Sequence, residues 1–72
     1  MSQPKTIDIV VNDQSLSIAE GSSVSDLLKI LDVRSKAIAV EINRAVIPGQ
    51  DHATTVLKAD DRLEVVTLVG GG

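Results

Sequence analysis

Apolar and polar residues alternate at the start of the chain. In Thr6-Ile7-Asp8-Ile9-Val10-Val11, Ile7, Ile9 and Val11 share one face while Asp8 and Val10 take the other, the period of a half-buried strand. Asn12-Asp13-Gln14 is turn chemistry, because Asn and Asp tolerate a left-handed backbone and bond to their own main chain. The alternation resumes at Leu16-Ser17-Ile18, which predicts a hairpin. Gly21-Ser22-Ser23 then breaks the pattern. Val24, Leu27, Leu28 and Leu31 follow at helical spacing, with Ser25, Asp26, Lys29 and Asp32 on the opposite side. Ser23 is placed to cap the first turn with its hydroxyl, and the helix is expected to end near Asp32 or Val33.

The period of two returns at Ala37-Ile38-Ala39-Val40-Glu41-Ile42, with Ile38, Val40 and Ile42 inward. Asn43-Arg44 turns this third strand, Val46-Ile47 forms a short fourth, and Pro48-Gly49 stops it. Residues 51–58 have no clean period and predict a loop with up to one helical turn, anchored by Val56 and Leu57. Asp60-Asp61 makes another turn, and Arg62 to Val69 is the last strand. One amphipathic helix covers only one face of such a sheet. The expected class is therefore α+β in two layers, a mixed sheet of four to five strands with one main helix packed on one face. The first and last strands can lie parallel in the centre, which is the β-grasp arrangement. Residues 1–69 form this single domain, and residues 70–72 form a flexible tail.

Composition narrows the function. Apolar residues make up 43% of the 72, yet Phe, Tyr and Trp are absent, so the core is aliphatic. A disordered chain carries less aliphatic bulk. The absence of Cys excludes a disulfide scaffold, a thiolate nucleophile and a thiolate metal site. A net charge of −3, with no basic cluster and no aromatic platform, argues against nucleic acid. No apolar run approaches the ~20 residues that span a bilayer, and no apolar stretch follows Lys5 as a secretory signal requires. The expectation is a cytoplasmic domain with no membrane role. So small a domain buries only about 60% of its unfolded surface and leaves little volume for a walled pocket, so it is not expected to be an enzyme.

The side chains agree with that expectation. His52 is the only imidazole and has no partner at a recognisable spacing, which makes it a surface or packing residue. Asp60-Asp61 offers too few converging oxygens for a hard cation and reads as a turn, so no metal site is expected. Gly21-Ser22-Ser23 lacks the Lys-Ser or Lys-Thr of a phosphate loop.

Two features depart from a plain domain. In the last strand, Leu63 and Val65 share one face while Val66 and Leu68 share the other. With Val10 and Ala39 from the flanking strands, four apolar side chains are expected to lie contiguously on the uncovered face, a docking surface. The second feature is Gly70-Gly71-Gly72. Glycines add nothing to a core, and a frayed or appended end is the plain reading. The chemical reading is that a terminal carboxylate entering another protein's active site passes best with no Cβ to clash. Gly70 and Gly71 would thread the channel, and Gly72 would present an unhindered acyl carbon.

The chain resembles the ThiS family of sulfur carriers of thiamin biosynthesis, related to the small subunit of molybdopterin synthase. The resemblance covers essentially the whole chain. It runs through the first strand and its Asn12 turn, Gly21-Ser22-Ser23-Val24, Ala39-Val40-Glu41-Ile42-Asn43, Val46-Ile47-Pro48, Asp61-Arg62-Leu63-Glu64-Val65-Val66 and Val69-Gly70-Gly71-Gly72. It departs at Ala59-Asp60-Asp61, where the family tends to place Gly before the Asp. The resemblance implies a ubiquitin-like β-grasp fold. It also implies that an adenylyltransferase related to ubiquitin-activating enzymes uses ATP and Mg²⁺ to adenylylate the Gly72 carboxylate. A cysteine desulfurase relay then converts it to a thiocarboxylate, and thiazole synthase consumes the sulfur. The chain itself binds no cofactor in this scheme.

Three alternatives stay open on the sequence. One is the small sulfur-carrier subunit of molybdopterin synthase, which is usually longer and has a Pro-containing segment before its tail, unlike Thr67-Leu68-Val69. Another is a ubiquitin-like modifier joined to target lysines through Gly72. The third is a binding module with an incidental tail.

Overall fold

The computed structural model describes residues 5–33 and 37–67. Its elements are β1 (Thr6–Val11), β2 (Gln14–Ala19), α1 (Val24–Ile30), β3 (Ile38–Ile42), β4 (Ala45–Ile47), a 3₁₀ turn at Gly49–Asp51, and β5 (Arg62–Thr67). The strands form one five-stranded sheet in the order β2-β1-β5-β3-β4. β1 and β5 are parallel neighbours in the centre, and the other pairings are antiparallel. This is the α+β β-grasp arrangement that the alternation implied.

The two hairpins close on two-residue turns with left-handed backbone at both positions. Asn12 and Asp13 have φ of 49° and 67°, and Asn43 and Arg44 have 49° and 72°. That geometry matches the twist of the flanking strands. Asn leads both turns, the residue that enters this region at least cost after glycine.

Helix α1 starts where Ser23 places it. The Ser23 hydroxyl accepts from the Asp26 N–H at 3.1 Å, and the Asp26 carboxylate accepts from the Ser23 N–H at 3.0 Å. This reciprocal box satisfies two backbone donors that a helix start leaves unpaired. The helix ends at Ile30, slightly short of the expected Asp32 or Val33. Asp32 adopts φ 57°, its N–H reaches Lys29 O at 3.1 Å, and the Val33 N–H reaches Leu28 O at 3.0 Å. Those two bonds close the last turn, with Asp32 in the place glycine usually takes.

The core consists of Ile9, Val11, Ile18, Val24, Leu27, Val40, Leu57, Leu63 and Val65, on the inner sheet face, the helix stripe and one loop. The loop differs from expectation at one residue. Leu57 is buried, but Val56 is 52% exposed and anchors nothing in the core. The backbone there is extended. Ser23 and Val56 form an antiparallel bridge, the Leu57 N–H donates to Ser22 O at 2.8 Å, and the Val24 N–H donates to Thr55 O at 3.0 Å. Consecutive residues of extended chain face opposite ways, so only one of the pair turns inward.

Candidate functional site

Helix α1 covers one face of the sheet and leaves the other open, and β5 crosses the middle of that open face. Three turn residues fix β5. Asn43 Oδ1 accepts from the Arg62 N–H at 3.0 Å, and Asn43 Nδ2 donates to Asp61 at 3.1 Å. The second Asp61 oxygen accepts from the Lys58 N–H at 2.8 Å. Asp60 has φ 71°, and its N–H donates to Asp8 O at 2.8 Å. The adjacent acids thus serve the turn, as expected, with Asp60 in the left-handed conformation at the position where the resembling family favours Gly. Further along, β1 turns away and its pairing with β5 stops at Val11 and Leu63. The Asn12 side chain continues it: Oδ1 accepts from the Val65 N–H at 2.9 Å, and Nδ2 donates to Val65 O at 3.1 Å.

The strand registers arrange the open face in rows. Val66 lies directly opposite Ala39, and Glu64 directly opposite Glu41. Glu41 in turn faces Val46 on the edge strand. Val10 pairs with Arg62, four residues before Val66. At ~3.3 Å per residue this puts Val10 roughly 13 Å from Val66 along the strand direction. The four apolar residues expected to be contiguous are therefore not. Ala39 and Val66 form one pair, Val10 stands apart beyond Arg62 and Glu64, and Leu68 lies outside the described residues. The parallel register of β1 against β5 decides this, and no local pattern encodes it. Val66 is 48% exposed and Val46 is 69% exposed, whereas Val10 and Ala39 are half-buried.

Between these rows runs a cleft of about 430 Å³ whose walls include Val10, Asp13, Glu41, Arg44, Arg62 and Glu64. Arg62 approaches Asp13 at 4.0 Å, an exposed pair. No Ser, Thr, Cys or His lines the cleft, so it carries no nucleophile paired with a base. His52 lies elsewhere, half-buried, with Nε2 3.1 Å from Ile47 O. Among the described residues there is no group of three or more His, Cys, Asp or Glu able to hold a metal ion. No helix among them is long and apolar enough to cross a membrane. Gly70, Gly71 and Gly72 lie outside the described residues, and β5 is the strand that leads to them.

Comparison with known proteins places the chain. The profile of the ThiS family matches residues 3–72. The chain belongs to the ThiS family. It is 30% identical over 66 residues to the sulfur carrier protein ThiS of Escherichia coli, spanning 92% of this chain and all of that one. It is 37% identical over 68 residues to the uncharacterized protein ycf40 of Porphyra purpurea, spanning 94% and 96%. The crystal structure of the thiamine biosynthesis protein ThiS from Geobacter metallireducens superposes with a TM-score of 0.79 at 29% identity, covering 92% of this chain and all of that one. A thiazole synthase of Paramagnetospirillum magneticum is 33% identical over 64 residues, which are 89% of this chain but only 20% of that longer protein. The ubiquitin-like β-grasp fold of a ThiS-type sulfur carrier is thus common to sequence and structure.

Proposed function

We propose that this protein carries sulfur as a thiocarboxylate on Gly72 and delivers it for thiazole formation in thiamin biosynthesis. The observation that carries the reading is the family match over residues 3–72, which includes the glycine run. A second observation favours thiamin over molybdopterin. Two thiazole synthases contain a segment similar to this chain within a much longer protein, which places carrier-like and synthase sequence on one polypeptide.

The chemistry divides between this chain and its partners. A free carboxylate has no leaving group. An adenylyltransferase of the ubiquitin-activating type, using ATP and Mg²⁺, joins AMP to the Gly72 carboxylate and releases pyrophosphate. The terminal sulfur of a persulfide, supplied through a cysteine desulfurase relay, attacks the acyl carbon, and the C–S bond forms as the C–O bond to AMP breaks. A partner thiol then attacks the relay sulfur of the resulting S–S link, forming a disulfide and releasing the thiocarboxylate on Gly72. Thiazole synthase then takes the sulfur. This chain acts as carrier and co-substrate rather than catalyst and binds no cofactor of its own. Gly70 and Gly71 let the tail thread a narrow channel, because no Cβ meets its walls. The open face near Ala39 and Val66 is the docking side, with Val10 as a separate contact.

Mass spectrometry of the protein from its native host tests the reading. A sulfur-for-oxygen exchange on Gly72 is expected, and removal of Gly71 and Gly72 abolishes sulfur delivery. Gly72 found in isopeptide linkage to other proteins, with no thiocarboxylate, overturns the reading in favour of a modifier.

A further inference from the structure

Glycine would serve the Asn12 turn as well as asparagine does, since it adopts a φ of 49° freely. The carboxamide has a second duty, visible in the bonds that β5 makes toward β1. Asp61 O accepts from the Val10 N–H and Leu63 O from the Asn12 N–H, each at 2.9 Å. Val65 is next in this series. It is met by the Asn12 side chain, at 2.9 Å through the oxygen and 3.1 Å through the nitrogen. Thr67 follows, and among the described residues its strand partner is Ile38 of β3 alone. The clamp is thus the last hold on β5 from the β1 side, close to where the strand leads on to the glycines.

We infer that Asn12 is a positioning residue for the tail: by holding β5 at Val65 from the β1 side, it fixes the line along which the chain runs toward Gly72. This rests on the carrier reading above. It requires no choice among the enzymes that draw in the tail, because each of them meets the same exit. Without the clamp, β5 beyond Leu63 is held by β3 alone and swings about that one seam. An enzyme that binds the tail must then supply the order that the carrier lacks. The tail is threaded alike in the ground state and the transition state, so the cost enters KM and spares kcat. Lower global stability changes neither while the protein stays folded. Asn43 supplies the contrast. It leads the other hairpin turn at the same φ of 49°, and its carboxamide also makes two bonds, to the Arg62 N–H and the Asp61 carboxylate. Those bonds lie at the start of β5, far from the tail.

The test compares full-length wild type, Asn12→Gly and Asn43→Gly as substrates of the adenylyltransferase of the same host. Carrier-dependent ATP–pyrophosphate exchange is followed with ATP and Mg²⁺ saturating, below the melting range of all three proteins. Both variants keep the left-handed turn and lose two side-chain bonds. Ordering one backbone residue costs on the order of tenfold in an equilibrium constant. Partial loss of order at the end of β5 is therefore expected to raise the KM of Asn12→Gly about threefold or more, with kcat within about twofold of wild type. Asn43→Gly is expected to melt earlier, yet to keep its KM within about twofold of wild type. Hydrogen exchange in the free chain is a readout independent of loading. The Val66 and Thr67 amides are expected to exchange faster in Asn12→Gly and at the wild-type rate in Asn43→Gly. A wild-type KM in Asn12→Gly overturns the inference whatever the exchange shows, as does a change confined to kcat. An equal rise of KM in both variants also overturns it, because the effect is then one of stability alone. If the wild type itself supports no pyrophosphate exchange, the carrier reading falls and the inference with it. Normal wild-type kinetics beside an unmoved Asn12→Gly sink only the positioning role.

Discussion

Asn12 replaces a missing strand with its side chain. It sits at φ 49° because the hairpin turn needs a left-handed residue there. Its carboxamide offers one donor and one acceptor in the same fork as a peptide group, and both engage Val65. Asn12→Gly keeps the backbone geometry and removes only the fork. The expected cost is about 1–3 kcal/mol, two hydrogen bonds' worth, read as a lower urea midpoint with faster hydrogen exchange at the Val65 amide. An unchanged midpoint and exchange rate would mean the clamp contributes nothing. The sequence identified Asn12 as a turn former and no more, because its partner is 53 residues away and depends on the parallel register of β1 and β5. Asp60 was more legible. Its φ of 71° is what its turn position implied. Asp60→Gly removes a left-handed penalty of about 1–2 kcal/mol and adds unfolded-state entropy worth up to about 1 kcal/mol. A small net gain in thermal stability is the expected result, and a loss would show that the side chain contributes more than turn geometry.

At the scale of elements, α1 depends on its first turn. Ser23→Ala removes the hydroxyl that caps Asp26 and is expected to cost about 1 kcal/mol in chemical denaturation. The reciprocal bond gives the helix a pH dependence. The Ser23 backbone N–H, then the Ser23 hydroxyl bond, hold the Asp26 carboxyl below its ordinary value of 3.8, with Lys29 adding a smaller pull in the same direction. A carboxyl lowered by folding stabilises the fold above its unfolded value. That contribution is lost as the pH falls through the folded value. Melting temperatures of the wild type should therefore drop as the pH is lowered past 3.8, and Asp26→Ala should show a shallower drop over the same range. Equal slopes would detach the box from acid stability. Periodicity made the start of this helix legible, since Ser23 and the polar position of Asp26 are both local. Its end was not, because an Asp rather than a Gly closes the last turn. The exposure of Val56 is not legible for a similar reason: in irregular chain nothing local says which of two adjacent apolar residues turns inward.

For the whole molecule, the question is how one strand serves both a core and a surface. Val65 and Val66 are neighbours with opposite fates. Val65 is 9% exposed and pairs with the fully buried Val40, whereas Val66 is 48% exposed and pairs with Ala39 on the open face. That division was legible from the alternation within β5, but the separation of Val10 from Val66 was not, since it depends on how two distant strands align. Val65→Asp places a carboxylate among aliphatic side chains with no partner. In a domain whose whole stability is on the order of 5 kcal/mol, the expected result is loss of cooperative melting. Val66→Asp puts the same group in solvent, so its effect on stability should stay within about 0.5 kcal/mol. On the proposed carrier reading, docking should weaken, because the charge falls on the face assigned to the partner. A folded Val66→Asp protein that still binds thiazole synthase with wild-type affinity would remove the open face from the interface. A Val66→Asp protein that unfolds would place Val66 in the core and refute the two-faced strand itself.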